Sequence, residues 1–394
     1  MVRAIRQYAA PALAKGERLN ETQHMASSRK TPETPACYAM VHEGLESIAA
    51  EEIAQSLGGE IKRLGSGLVV FRVPEIDRSI LTLRTVEDVF LYAWGTDKLS
   101  YRATDLESIQ HWTDRDGDWD HLLKIHHAVT PKPKGKTTLR YVAQMNGVHG
   151  YRRIDASKAM ARGLAGKLPS SWRFVDENAS IEIWLKIDGA MAICGLRLSD
   201  RTMRHRTYKH EHLQASIRPT VAGVIARLAD LKPGQTVLDP MCGAGTLLAE
   251  AHLSVRGKKG VGGTEWEMNY LGGDIDAGHV RASLTNLRQF GIAGIKNWDA
   301  RQLPLDDESV DRVICNPPFG KQMSTPEEIG PLYRQSVREM DRVLKPGGKS
   351  VLIVSDAAAL RAATEHVGWK ELRRLGVRLL GQRAFIGLYR KAAE

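Results

Sequence analysis

Residues 236–251 read TVLDPMCGAGTLLAEA. The β-branched opening, Thr236-Val237-Leu238, runs into a turn and then into the helix-forming TLLAEA, so the stretch reads as strand, glycine turn and helix. Gly243 and Gly245 need no side chain. The turn can therefore close tightly and bring a helix N-terminus up to a ligand. A dinucleotide fingerprint would place a further glycine three residues after Gly245, but Leu248 stands there, so the pyrophosphate reading weakens. Asp239, just before the turn, suits a cationic or hydroxyl-rich ligand better than a diphosphate.

Four similar segments follow: YLGGDID (270–276), GIKNWDA (294–300), SVDRVICNPP (309–318) and KSVLIVSD (349–356). Helical stretches such as AGHVRASLTNLRQFG and PLYRQSVREMDRVLKPGG separate them. This alternation predicts an open, mostly parallel sheet covered on both faces, with closing strands from LRRLGVRLLGQRAFIGLYRKA. The predicted catalytic domain spans 216–394 and begins with the helix PTVAGVIARLADL.

Acids at the ends of three successive strands fit S-adenosylmethionine, which carries a sulfonium, an amino acid group, a ribose diol and an adenine. Asp239 is expected by the methionine moiety, Asp274 at the ribose hydroxyls and Asp299 at the adenine amine. Asp276 is expected to cap the next helix. Gly243, Gly245, Thr246, Ala300 and Asn316 complete the candidate cofactor contacts. Beyond the fourth strand comes Asn316-Pro317-Pro318-Phe319-Gly320. Two prolines stiffen the backbone and remove two amide donors, which leaves the Asn316 side-chain carbonyl and the Pro317 carbonyl as acceptors for an exocyclic amine. Phe319 is the candidate stacking partner for the base, which must leave its helix to react. Asn316, Pro317 and Phe319 are thus the candidate catalytic residues.

The chain's 394 residues carry a formal charge of +10. Between Lys124 and Arg173 stand eleven basic residues and one acid, Asp155, so the excess is concentrated there. Such a patch favours a polyanion, although a solubilising face would read the same way. Candidate RNA contacts are Lys132, Lys134, Lys136, Arg152, Arg153, Lys158, Arg162, Lys167, Arg204 and Arg206. Lys158, Arg162 and Lys167 are expected on roughly one side of a helix, DASKAMARGLAGKL. His126 and His127 are candidate phosphate contacts, with a surface or turn role equally open.

The remaining sequence divides into a leader (1–36), an α+β unit (37–105), a second α/β unit (106–197) and a polar connector (198–215). Within the first unit, SILTLRTVEDVFLYAWG reads as strand. Cys37, Cys194, Cys242 and Cys315 form no CxxC pair, which excludes a disulfide framework or zinc ribbon and fits a reducing cytoplasm. Cys242 and Cys315 read as small buried residues. His205, His210 and His212 lack metal-ligand spacing, and no metal is expected. No run approaches the roughly 18 apolar residues of a membrane span.

VLDPMCGAGTLLAEA, GGDID and NPPFG together resemble the Rossmann-like methyltransferases that modify the exocyclic amine of guanosine in RNA. GLRLSDRTMRHRTYKHEHLQASIRPTVAGVIARL is similar to the segment joining their RNA-binding THUMP domain to the catalytic domain. CYAMVHEGLESIAAEEIAQSLGG looks like the start of the ferredoxin-like domain that precedes THUMP. The resemblance implies an α/β fold: a ferredoxin-like domain, a THUMP domain and a C-terminal Rossmann-like domain. It also implies S-adenosylmethionine as cofactor and tRNA or another structured RNA as partner, with no membrane and no obligate protein partner. Position 6 of tRNA is the nearest pattern. Alternatives are tRNA guanosine 10, guanosine in 23S ribosomal RNA, adenine N6-methylation, a nicotinamide-dependent dehydrogenase and a non-catalytic RNA binder. The insert RGKKGVGGTEWEMNYLG is longer and richer in glycine than the family's usual link.

Overall fold

The computed structural model describes residues 34–130, 135–214, 216–259, 263, 265–319, 326–379 and 381–393. Residues 1–33 of the leader, Lys132, Lys134, part of the glycine-rich insert and Gly320 lie outside the described residues.

The N-terminal elements are β1 (Cys37–Met40), α1 (Glu46–Leu57), β2 (Glu60–Gly65), β3 (Leu68–Arg72) and β4 (Asp88–Thr96). They continue with α2 (Asp105–Arg115), α3 (Trp119–Val129), β5 (Thr138–Asn146), α4 (Arg153–Gly163), β6 (Arg173–Phe174), β7 (Ile181–Asp188) and β8 (Met191–Arg197). All eight strands form one sheet, in the order β2-β3-β1-β4-β8-β7-β5-β6. The segments divided at residue 105 in the sequence meet at β4 and β8, where Leu91 lies opposite Leu196. β4 is apolar along almost its whole length, so it can be a central strand with a neighbour on each side.

Two expectations change here, and two helices appear that the sequence did not announce. Only the second half of SILTLRTVEDVFLYAWG is strand. Arg78–Thr82 is a 3-10 turn whose start is fixed by the Asp77 carboxylate accepting from the Ser79 amide at 2.8 Å. The polar stretch after residue 105 forms two helices, α2 and α3, each of which buries a narrow apolar stripe (Ile109; Leu122, Leu123 and Val129). Helix α4 stops at Gly163, so Lys167 lies beyond it and does not share its face.

The connector contains a short helix, α5 (Thr202–His205), and leads to α6 (Pro219–Leu228). The second sheet then follows through β9 (Thr236–Asp239), α7 (Thr246–Val255), β10 (Asn269–Asp274), α8 (Ala277–Leu287), β11 (Ile295–Asn297) and β12 (Val310–Cys315). It ends with α9 (Pro326–Val343), β13 (Leu344–Val354), α10 (Ala357–His366), β14 (Lys370–Leu379) and β15 (Gln382–Arg390). The strand order is β11-β10-β9-β12-β13-β15-β14. The first five are parallel, and the β14–β15 hairpin closes one edge antiparallel. Strand order reverses between β9 and β12, which is where open parallel sheets bind ligands beyond their strand ends.

The connector is packed rather than solvated. Met203, Arg206 and Tyr208 are buried, and Leu45 and Ile48 of α1 share an apolar cluster with Val221, Ile225 and Val377. At the centre of this joint Glu250 of α7 is 0% exposed. Its carboxylate accepts from Arg84 Nε and Nη2 (2.6 and 2.8 Å), Arg206 Nε (3.2 Å) and Tyr208 Oη (2.8 Å). One acid thus binds the N-terminal module and the connector to the helix that follows the glycine turn.

Candidate active site

Asp239 ends β9 and is 1% exposed. Burial pushes its carboxyl well above the usual carboxylate range; the Met241 amide, 3.3 Å away, opposes this, and the charge of Asp274 adds to it. The turn that follows is tied to β10, since the Cys242 amide donates to the Gly273 carbonyl at 2.8 Å. Gly243 and Gly245 both have left-handed backbone, with φ of 50° and 74°, but they serve different ends. A Cβ on Gly245 would lie 2.6 Å from Ser283 Oγ and 2.9 Å from Leu287 Cδ1, so this glycine admits α8. At Gly243 nothing lies within 4 Å. That open position, between buried Asp239 and Asp274, fits a cationic cofactor. Thr246 begins α7 and is buried.

Asp274 ends β10 next to the turn. Oδ2 accepts from the Gly243 amide (3.0 Å), while Oδ1 accepts from the Asp276 amide (3.1 Å) and sits 3.1 Å from His279 Nδ1. Asp276 caps α8, as expected, accepting from the Gly278 and His279 amides. The structure therefore gathers Asp239, Gly243 and Asp274 at one point. Trp298 ties the neighbouring strand ends together: its Nε1 donates to the Pro240 carbonyl (3.2 Å), and its ring fills the space that a Cβ on Gly273 would occupy. Asp299 is paired with Arg301. Arg301 takes its carboxylate through Nη2 at 2.6 Å, and that bond holds the acid below its ordinary range. Ala300 is buried.

Asn316 leaves β12 beside β9, where Val313 pairs with Leu238. Its side chain is partly exposed and has no protein hydrogen-bond partner among the described residues. Pro317 is buried, and the Pro318 carbonyl accepts from Tyr333 Oη at 3.2 Å, which anchors the loop to α9. Phe319 is half-buried and packs against the cluster formed by α6, α7 and the central strands. Cys242 and Cys315 are buried thiols pushed up by burial. Among the described residues no group of His, Cys, Asp or Glu could hold a metal ion.

His279 and Tyr333 had no place in the sequence reading. His279 sits at the third position of a capped helix, where a side chain reaches back toward the strand end, so the Asp276 cap was its one local signal. Tyr333 had none. Ile275, 66% exposed beside Asp274, was likewise passed over.

On the basic face, Lys136, Arg152, Arg153, Lys158 and Arg162 are exposed. Arg152 reaches Asp155 (3.2 Å), Arg162 reaches Gln110 (2.8 Å), and Lys167 pairs with Asp114 (2.9 Å). Two assignments need correction. Arg206, 9% exposed, is a cation of the buried joint and not part of an open surface, because Glu250 requires a partner there. Arg204 is turned inward to Asp88 at 2.8 Å. His126 is also buried, with its titration pushed down to about 4 by loss of solvent and by His127, so it belongs to the α3 core and not to a phosphate contact.

Residues 206–384 match the family described as UPF0020, RMKL-like, methyltransferase domain. Among relatives, the U6 snRNA (guanine-N(2))-methyltransferase THUMPD2 of Mus musculus is 32% identical over 49% of this chain. The chain spans only 34% of that protein and 41% of its Homo sapiens counterpart. The tRNA (guanine(6)-N2)-methyltransferase of Thermus thermophilus is 26% identical over 82% of this chain and 90% of its own length. The crystal structure of TrmN from Thermus thermophilus superposes with a TM-score of 0.72 at 23% identity, covering 90% of this chain and 99% of that one. A methyltransferase-domain family model is thus matched over residues 206–384, and the fold is shared with TrmN from Thermus thermophilus over 90% of this chain.

Proposed function

We propose that this protein methylates the exocyclic N2 amine of a guanosine in structured RNA, with position 6 of tRNA as the favoured target. The observation that carries the reading is the Asn316 amide, without a hydrogen-bond partner among the described residues, just after the strand next to the one that ends in buried Asp239, at the point where strand order reverses. S-adenosylmethionine would supply the methyl group, with Asp239, Gly243 and Asp274 as the residues that hold it. Asn316 Oδ1 and the Pro317 carbonyl accept the two amine hydrogens, which keeps the nitrogen lone pair directed at the methyl. As positive charge grows on that nitrogen, these fixed dipoles stabilise it without reorganising. Tyr333 holds the loop through Pro318, and Phe319 offers its open side to the flipped base. The tRNA target is supported by the Thermus thermophilus relative, of which this chain spans 90%. The THUMPD2 proteins support a small nuclear RNA as a second reading, through the higher identity of 32%.

Labelled methyl transfer to total unmodified RNA, followed by mapping of the labelled nucleoside, tests the proposal. N2-methylguanosine is expected; label in adenosine alone would refute it.

Cofactor affinity should depend on pH. Asp239 is held protonated above its ordinary range, and a cationic ligand favours the ionised form, so binding releases a proton. Affinity therefore rises with pH from the normal carboxylate range up to the raised value and is flat beyond it. Calorimetry in buffers of different ionisation enthalpy reads the released proton directly; a binding heat independent of buffer at every pH would remove this role.

His279→Ala should weaken cofactor binding about fivefold, the scale of one hydrogen bond of about 1 kcal/mol, because Asp274 loses the group that orients it. His279→Asn, which can still donate, should recover part of the loss. Equal affinity in wild type and His279→Ala would contradict this.

Replacing Lys158 and Arg162 together with Gln should weaken RNA binding and reduce the slope of log affinity against log salt by about two. An unchanged slope would make this face a solubilising surface only.

A further inference from the structure

Beside the Glu250 cluster a cavity of about 180 Å³ opens at the joint between the two sheets. Arg84, Arg206, Arg256, Thr202, Thr207 and Gln289 line its polar side. The guanidiniums of partly buried Arg84 and buried Arg206 are only partly used. Arg84 spends Nε and Nη2 on Glu250; Arg206 spends Nε on Glu250 and Nη2 on the Arg84 carbonyl (3.0 Å). Nη1 of each has no protein partner among the described residues, and neither Nη1 is sealed from solvent.

The charges around the cavity are unequal. Two guanidiniums share one carboxylate, and Arg256 adds a third cation at the exposed rim. Two acids stand nearby: Glu52 is occupied by the amides of Arg84 and Thr85 and by the Thr85 hydroxyl, and Asp200 by the amide and hydroxyl of Thr202. Burial, and after Glu250's opposing pull the neighbouring Arg84, disfavour the charged form of Arg206, a strain that an anion between the two would relieve. The two guanidiniums, with the Thr207 hydroxyl and the Gln289 amide, match the oxygens of a phosphate group, while the Thr202 hydroxyl is held by Asp200.

We propose that this cavity is a phosphate-binding notch that seats one backbone phosphate of the RNA at the joint; the RNA source rests on the function proposed above. Its ligand would touch the N-terminal module, the connector and the residues beside α7 together, and α7 is the helix that starts at the cofactor turn.

Arg256→Ala and Thr207→Ala test the notch in the full chain, since both side chains are exposed and lie outside the buried hydrogen bonds of the joint. RNA affinity is measured between about 50 and 200 mM salt. Expected for Arg256→Ala is a loss of about three- to tenfold at the low-salt end, with a salt slope shallower by about one; Thr207→Ala should lose affinity with the slope kept. Affinity and slope unchanged in both variants, while wild type binds RNA with a steep salt dependence, would overturn the notch and leave the proposed function standing. If wild type shows no salt-dependent RNA binding, the function has failed and inorganic phosphate decides the notch. A thermal shift with phosphate in wild type that is absent in Arg256→Ala supports a free-phosphate site, and equal shifts in both overturn it.

Discussion

Asn316→Ala is expected to reduce methyl transfer by about 10²–10³-fold while cofactor affinity stays within about twofold of wild type. The size follows from what removing one preorganised hydrogen-bonding group costs when it acts on charge that develops only in the transition state. Asn316 is suited to that role because no described residue engages its amide. Among the described residues it bonds to nothing in the protein, while the loop around it is held by buried Pro317 and by Tyr333 on the Pro318 carbonyl. Truncation therefore leaves the loop in place and removes only the acceptor. The split between turnover and affinity is the discriminating measurement. A large loss of cofactor affinity in Asn316→Ala would make this residue part of the cofactor cradle, and turnover near wild type would end its catalytic assignment. Asn316→Asp is informative as well, since it keeps an acceptor and adds charge, and it should retain more activity than the alanine variant.

Glu250→Ala is expected to lower stability by about 3–5 kcal/mol, seen as a drop in melting temperature of roughly 10 °C. The residue is 0% exposed, and its removal leaves partly buried Arg84 and buried Arg206 as neighbouring cations with no carboxylate between them, while Tyr208 Oη loses its acceptor. Glu250→Gln retains acceptor capacity but no charge and should fall between the two. Scanning calorimetry of the full chain checks both; a shift below about 2 °C for the alanine variant would mean that the apolar cluster around Leu45, Val221 and Ile225 carries the joint without it. The same substitution should reduce turnover beyond its effect on stability, because α7 begins at Gly245 and presents the cofactor turn.

The C-terminal half was readable because its signals are local. A strand, a glycine turn and a helix announce themselves within sixteen residues, and the acids at strand ends share one edge once the strands are known to be parallel. Local patterns mislead where they are ambiguous. The stretch 79–95 is rich in β-branched residues, yet the Asp77 cap draws its first part into a 3-10 turn. The stretch after residue 105 is polar enough to pass for a loop, although its few apolar residues recur at helical spacing and hold α2 and α3 to the sheet.

Charge was the least transferable signal. A basic residue on paper can be a phosphate contact or half of a buried pair, and only its surroundings distinguish the two. Lys158 stays on the surface; Arg206, from an equally basic stretch, disappears into the joint.

The chain order alone specifies the parallel sheet, the glycine turn and the presence of an acceptor-rich loop after the fourth strand, since each depends on neighbours a few residues apart. Folding alone decided that Asp239 is sealed from water, that His279 meets Asp274, and that Glu250 joins the two modules. Arg84 and Glu250 are 166 residues apart in sequence, and a contact at that distance leaves no periodicity, cap or motif to read; it exists only because folding brings α7 and the loop before β4 together.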